Sequence, residues 1–333
     1  MTPKRRIVAV DIGGTHARFA IASIAGGRVA DLGAPTTLRT ADYAAFESAW
    51  SAFAALHGEQ MPAEASIAVA GPVGGAILKF TNNPWVIRPA ELPSRLGLDR
   101  VTVINDFGAV GHAVAQAPAD QLVHLCGPDV ALPDPGVTSI VGPGTGLGVA
   151  ALVRTGDGYD VIETEGSHAD FAPLDAIEDA ILARLRSRHR RVSVERVVSG
   201  LGLAAIYETL AGIEGRSVSA SIDDKALWAA ALEGSDALAV AAMDRFCLSL
   251  GSYAGDAALI QGAAGVVIAG GIGLRLRNHL PRSGFGTRFE AKGRFESRMA
   301  SMPVKLIVHP EPGLLGAAAA HASRHPNAAP VLA

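Results

Sequence analysis

The sequence predicts a two-lobed α/β protein, and three observations carry that expectation. Its 333 residues exceed what one ordinary hydrophobic core uses. A strand, a glycine-threonine turn and a second strand occur in that order twice. A third apolar strand ends in Asn105 and Asp106 just before a helical stretch. Two lobes of ordinary domain size imply a cleft between them.

Composition narrows the class before any motif is weighed. At 49% apolar and 18% charged residues the chain is globular in character. The most apolar stretch, 253–274, is broken by Asp256, Gln261 and several glycines, so it is expected as a buried helix followed by a strand and not as a membrane span. Lys4, Arg5 and Arg6 precede only four apolar residues before Asp11, too few for a secretory signal. The two cysteines, Cys126 and Cys247, provide neither a disulfide framework nor a thiolate metal cluster, and a reducing cytoplasm is expected. A net charge of −3 argues against general nucleic-acid binding, and the arginine-rich stretch 184–196 is expected to be a solvated helix face.

The first element, 7–22, is an apolar run, a glycine pair, then residues alternating at period two: Ala17, Phe19 and Ile21 against Arg18, Ala20 and Ala22. That pattern is a hairpin. A P-loop or dinucleotide fingerprint needs a glycine-rich turn leading into a helix, so both are disfavoured. The hairpin can offer backbone N–H groups of Gly13, Gly14 and Thr15 to an anion, because glycine has no Cβ to block approach. Asp11 can hold a water of a phosphate-bound magnesium ion, the usual way Mg²⁺ is kept by few carboxylates. The plainer alternative is a tight turn with a stabilising Asp.

Residues 81–83 (Thr81, Asn82, Asn83) lie before Pro84 and Trp85 and supply the directional polar groups a sugar requires. Next, the strand ending in Asn105 and Asp106 leads into a helix over 108–116, and ligands of open α/β sheets gather at that end of strands. A hydroxyl nucleophile must lose its proton as a new O–P bond forms, which makes Asp106 the candidate base and Asn105 a candidate ligand of a neighbouring hydroxyl. Asn and Asp also cap helices, and that use competes.

Residues 139–153 repeat the hairpin plan, with Gly144, Thr145 and Gly146 at the turn and Thr145 corresponding to Thr15. Two nests suit the polyphosphate of a nucleoside triphosphate better than one. Glu163, Glu165 and His168 follow the strand around Val161. Glu165 and His168 stand three residues apart, a spacing shared by metal sites, yet no third ligand of matching type lies nearby and a hydrogen-bonded pair is the expected reading. Glu195 heads an apolar helical segment, where it either reaches a sugar hydroxyl or complements the helix dipole. Residues 266–273 form a buried strand ending in glycines, including Gly270 and Gly271, followed by a helical segment over 274–280.

Taken together and in order, Asp11-Ile-Gly-Gly-Thr15, Ile104-Asn-Asp-Phe107, Gly144-Thr-Gly-Leu-Gly148, Glu163-Thr-Glu-Gly-Ser-His168, the run from Ser193 to Gly200, Ala269-Gly-Gly-Ile272 and Pro312-Gly-Leu-Leu-Gly316 resemble the bacterial glucokinase family over nearly the whole chain. The resemblance implies a two-lobed actin-like, hexokinase-type ATPase fold of duplicated ribonuclease H-like units, with a cleft between a small domain (1–116 with 312–333) and a large one (117–311). It implies ATP with Mg²⁺ as donor, D-glucose phosphorylated at the 6-hydroxyl, and a homodimer built through the large lobe. By resemblance, Asn105, Asp106, Glu165, His168 and Glu195 contact glucose with Asp106 as base, and Asn82 lies in a sugar-facing loop. Asp11 to Thr15 and Gly144 to Gly146 become phosphate loops, and Gly270 and Gly271 pass the adenosine. The related ROK-type sugar kinases carry a cysteine-rich zinc motif where this chain has Ala169-Asp-Phe-Ala-Pro173, so no zinc is expected. Sugar binding first, lobe closure and exclusion of water complete the expected mechanism. Kinases for mannose or fructose are the competing reading. A sugar-sensing repressor would need a helix-turn-helix ahead of Asp11, and an actin-like polymer would need no sugar-binding carboxylates.

Overall fold

The computed structural model describes residues 4–80, 83–217 and 223–326, which divide into two compact units: 1–117 with 309–333, and 118–308. The first runs β1 (Arg5–Ile12), β2 (His16–Ala25), β3 (Arg28–Leu32), β4 (Thr36–Arg39), α1 (Phe46–His57), β5 (Glu64–Val69), β6 (Leu78–Lys79), β7 (Val86–Ile87), α2 (Leu92–Leu96), β8 (Arg100–Asn105) and α3 (Asp106–Gln116). The second runs β9 (Leu122–Cys126), β10 (Gly136–Pro143), β11 (Leu147–Arg154), β12 (Tyr159–Thr164), α4 (Ala176–Arg186), α5 (Gly202–Ile213), α6 (Asp224–Glu233), α7 (Ala237–Ile260), β13 (Gly265–Ile268), α8 (Gly270–Arg275), α9 (Phe285–Glu290), α10 (Glu296–Ala300) and β14 (Val304–Ile307). The chain then returns to the first unit as α11 (Pro312–Arg324).

The sheets repeat one plan. In the first unit the order is β3-β2-β1-β5-β8, with β4 also on β2; in the second it is β12-β11-β10-β13-β14-β9. In each, an antiparallel hairpin (β1 with β2, β10 with β11) leads into parallel neighbours (β5 and β8, β13 and β14). The alternation read from the sequence is what sorts the first unit's layers. Val8, Val10, Ile12, Ala17 and Phe19 pack with the aromatic residues of α1 on one face, while Ile7, Ala9, Ala20 and Ala22 pack with α3 and α11 on the other. Small residues dominate α11 because it lies tight against α3: a Cβ on Gly316 would collide with the Ala109 carbonyl.

Two expected elements differ. The helix after β13 begins at Gly270, ahead of the 274–280 expected, because Gly270 takes φ +78° and turns the chain at once beneath the end of β10. Within the arginine-rich stretch, α4 stops at Arg186, so only Arg184 and Arg186 lie on an α-helix. Arg184 and Arg188 both reach Glu208, each at 2.7 Å, and Arg191 pairs with Asp170, so the stretch is partly an ion-pair network and not simply a solvated helix face. The helix expected within 253–274 does form, as the end of α7, and β13 follows it. Among the described residues no single helix is long and apolar enough to cross a membrane.

Candidate active site

The C-terminal ends of the parallel strands collect the candidate groups in both units. Across the first sheet Ile12 is level with Val69, and Val69 with Asn105, so the glycine turn after β1 and the Asn105-Asp106 pair share one edge. They stand two strand spacings apart, about 9 to 10 Å.

The first turn is shaped by what binds its carbonyls. The Gly13 oxygen accepts from Asn83 Nδ2 at 3.4 Å, the Gly14 oxygen from the Thr40 hydroxyl at 3.0 Å, and the Thr15 oxygen from the Thr40 amide at 3.0 Å. A trans peptide points its N–H opposite to its C=O. The N–H groups of Gly14 and Thr15 are thereby turned away from these partners, as an anion nest requires. Gly13 contributes differently from what the sequence suggested: its own N–H closes the turn on the His16 carbonyl at 2.9 Å.

Asp11 is the next-to-last residue of β1, with its carboxylate under the start of α11, where a Cβ on Gly313 would sit 2.6 Å from Oδ2. Burial pushes the Asp11 carboxyl above the ordinary value; Arg18 pulls it down and Glu311 pushes it further up. Arg18 reaches Asp11 at 3.4 Å and Glu311 at 3.6 Å. Sequence reasoning missed Arg18 and Glu311 as parts of this site, although β-register sets Arg18 directly opposite Asp11. One or two carboxylates with room for water are what a phosphate-bound Mg²⁺ asks for, so Asp11 with Glu311 fits that ion.

At the β8–α3 junction both readings of the Asn-Asp pair meet. Asn105 is the N-cap: its Oδ1 accepts from Phe107 N at 2.8 Å and Gly108 N at 2.9 Å, and its Nδ2 donates to the Gly71 carbonyl at 3.1 Å. Asp106 is the first residue of α3, half-buried, with Oδ1 accepting from the Phe107 amide at 2.8 Å. A helix N-terminus favours negative charge there.

The second turn, Gly144 to Gly146, has three residues between its strands like the first but closes on itself one residue sooner. Gly144 N–H bonds to the Gly146 carbonyl at 2.8 Å, and the Gly144 carbonyl accepts from Gly200 N–H at 2.8 Å, which turns the Thr145 N–H to the opposite side. Thr145 also lines a cavity of about 220 Å³ inside the second unit, with Glu195, Arg196, Ser199 and Leu201 among its walls. Gly270 has no room for a side chain beside the Pro143 carbonyl, whereas Gly271 faces open space.

Glu165 and His168 bracket a single 3₁₀ turn after β12 and are both exposed, their side chains 3.8 Å apart. Gly166 between them rests on Tyr253, whose hydroxyl would lie 3.1 Å from a Cβ there. Glu195 does not head a long helix. It sits in the short turn Val194–Arg196, and its Oε2 accepts from the Leu147 amide at 2.9 Å. The helix-dipole alternative for Glu195 therefore does not describe it. Asn82 lies outside the described residues; its neighbour Asn83 is buried and bonds to the first turn.

Comparison with known proteins follows the same lines. The family model described as Glucokinase matches residues 8–324. A glucokinase of Zymomonas mobilis is 61% identical over 319 residues, covering 96% of this chain and 98% of the relative. The crystal structure of a glucokinase from an Antarctic psychrotroph superposes with a TM-score of 0.84 at 32% identity, covering 95% and 98% of the two chains. That of Balamuthia mandrillaris glucokinase, solved in complex with glucose, has a TM-score of 0.76 over 96% and 94% of the chains; at 22% identity it speaks for the fold alone. The fold is the actin-like ATPase fold of hexokinase-type sugar kinases. With its family model matched from residue 8 to 324 and that degree of identity to a curated relative, the chain belongs to the glucokinase family.

Proposed function

We propose that this protein transfers the γ-phosphoryl group of ATP to the 6-hydroxyl of D-glucose, giving glucose 6-phosphate and ADP. The observation that carries the reading is the duplicated hairpin: two glycine turns, each anchored through a carbonyl by a residue outside the turn, each at the C-terminal end of a strand with parallel neighbours in a family of sugar kinases. Gly14, Thr15 and Thr145 present N–H groups to the phosphates, and Gly13, Gly144 and Gly146 give the turns their shape. Gly270 and Gly271 pass the adenosine. Asn105 and Asp106, with Glu165, His168 and Glu195, hold the sugar; Asn82 is assigned to the same ligand by resemblance.

Asp106 takes the 6-hydroxyl proton as that oxygen attacks phosphorus in line. Asn105, its Oδ1 committed to the start of α3, fixes where the Asp106 backbone stands and so where its carboxylate can reach. Asp11, with Glu311 beside it, would hold Mg²⁺ through water, and Arg18 keeps those two carboxylates in place. The ion supplies positive charge to the phosphate oxygens when bound. The resemblance also carries a homodimer, and two unpaired thiols suit a reducing cytoplasm.

Mannose and fructose differ from glucose in ways that side-chain placement reads. A coupled ADP-release assay across the three hexoses tests the proposal. Glucose should give the highest kcat/KM; equal or better turnover of mannose or fructose contradicts the substrate, and no hexose-dependent ADP release contradicts the activity.

A further inference from the structure

One carboxylate in the second unit touches both a sugar-facing and a phosphate-facing segment, as the proposed function assigns them. Glu195 belongs to a short stretch that pairs with the chain leaving His168: Val194 N–H donates to the Ala169 carbonyl at 2.9 Å, and Phe171 N–H to the Val192 carbonyl at 3.0 Å. Its position beside the Glu165–His168 turn is therefore set by backbone bonds. On its other side, Glu195 Oε2 accepts the Leu147 amide at 2.9 Å, at the first residue of β11 after the glycine turn. The same oxygen lies so near Gly146 that a Cβ there would stand 2.5 Å from it. Only glycine permits that approach.

Leu147 is opposite Pro143 in a pair that exchanges no ladder hydrogen bonds: two residues back on the same side, Val141 gives its carbonyl to Ala269 N–H and not to β11, so the Leu147 N–H points away from β10 and needs another acceptor. Glu195 supplies a charge-assisted bond at that spot. The turn's other anchor, Gly200 to the Gly144 carbonyl, comes from the same stretch of chain five residues on. Removing the carboxylate leaves one anchor of two.

We propose that Glu195 is a positioning residue for the phosphate donor as well as a sugar-facing group: it holds the Gly144–Gly146 turn in the shape that receives phosphate. The inference rests on the proposed function, which assigns donor phosphates to that turn. It makes donor affinity depend on Glu195 even when no sugar is present, which a carboxylate serving the sugar alone would not do.

Calorimetric titration with ADP and with a non-hydrolysable ATP analogue, in Mg²⁺ and without glucose, separates the two. Glu195→Ala has no acceptor for the Leu147 amide and should lose roughly tenfold or more in nucleotide affinity. Glu195→Gln keeps an acceptor; it should stay within about threefold of wild type in nucleotide affinity while its KM for glucose rises. Should the alanine variant fail to fold, Glu195→Asp, charged but one methylene short, carries the same expectation. Wild-type nucleotide affinity in the Ala or Asp variant, or equal loss in Gln and Ala, overturns the inference alone. A wild-type protein that binds neither nucleotide overturns the proposed function and this inference with it.

Discussion

A sugar hydroxyl attacks phosphorus only as its proton departs, which makes the Asp106 carboxylate the group whose loss should cost most turnover. Asp106→Ala should lower kcat by ~10²- to 10⁴-fold while nucleotide affinity survives, because the phosphate turns do not involve that side chain; steady-state kinetics with calorimetry checks both halves. Glu165→Gln, which removes a charged acceptor, should instead raise the KM for glucose about tenfold, and an unchanged KM removes Glu165 from the sugar contacts. Two buried histidines set a pH dependence of stability. Burial pushes His112 and His321 each down to about 4 from an ordinary 6.5, Arg324 adding to the effect at His112 and Glu64 opposing it at His321. The folded-state values are depressed, so the unfolded chain takes up protons first: stability is full above pH 6.5 and falls as pH drops toward 4. Each histidine contributes about 1.4 kcal/mol per pH unit across that window. A thermal midpoint that stays level between pH 6.5 and pH 5, above the range where carboxylates titrate, contradicts this.

Elements are placed by contacts that a sequence reveals unevenly. The α3–α11 crossing depends on Gly316, so Gly316→Ala should destabilise by about 1 to 3 kcal/mol in urea, whereas Gly271→Ala, which faces open space, should shift the midpoint little. The period-two alternation over 17–22 was enough to show a hairpin, because it reports which side of a strand is covered. The start of α8 was not legible, since it depends on a positive φ at Gly270 and on a carbonyl of Pro143, distant in sequence. Glu195 misled for a related reason: an acidic residue before an apolar segment looks like a helix start, while its partner amide at Leu147 belongs to another hairpin. At the Asn105-Asp106 junction the capping alternative described Asn105 correctly, and a pairwise spacing could not tell that the cap and the candidate base are successive residues with separate tasks.

At the scale of the whole molecule, duplication was legible because both hairpins carry glycine and threonine at the turn, and the sheet orders reproduce it strand for strand through β14. What the sequence did not reveal is the support behind each turn: Thr40 and Asn83 behind the first, Gly200 and Glu195 behind the second. Those residues lie 25 to 70 positions away with nothing in the sequence to tie them to the turns, and only folding brings them in. Family membership sets the chemistry expected of the assembled chain, and the site of phosphorylation is its sharpest consequence. The decisive measurement is phosphorus NMR of the purified protein turning over ATP, Mg²⁺ and glucose labelled with ¹³C at carbon 6. A phosphorus resonance coupled to that labelled carbon, growing as ATP becomes ADP one for one, is the predicted result; phosphate on another hydroxyl, or ATP loss with no sugar phosphate, contradicts it.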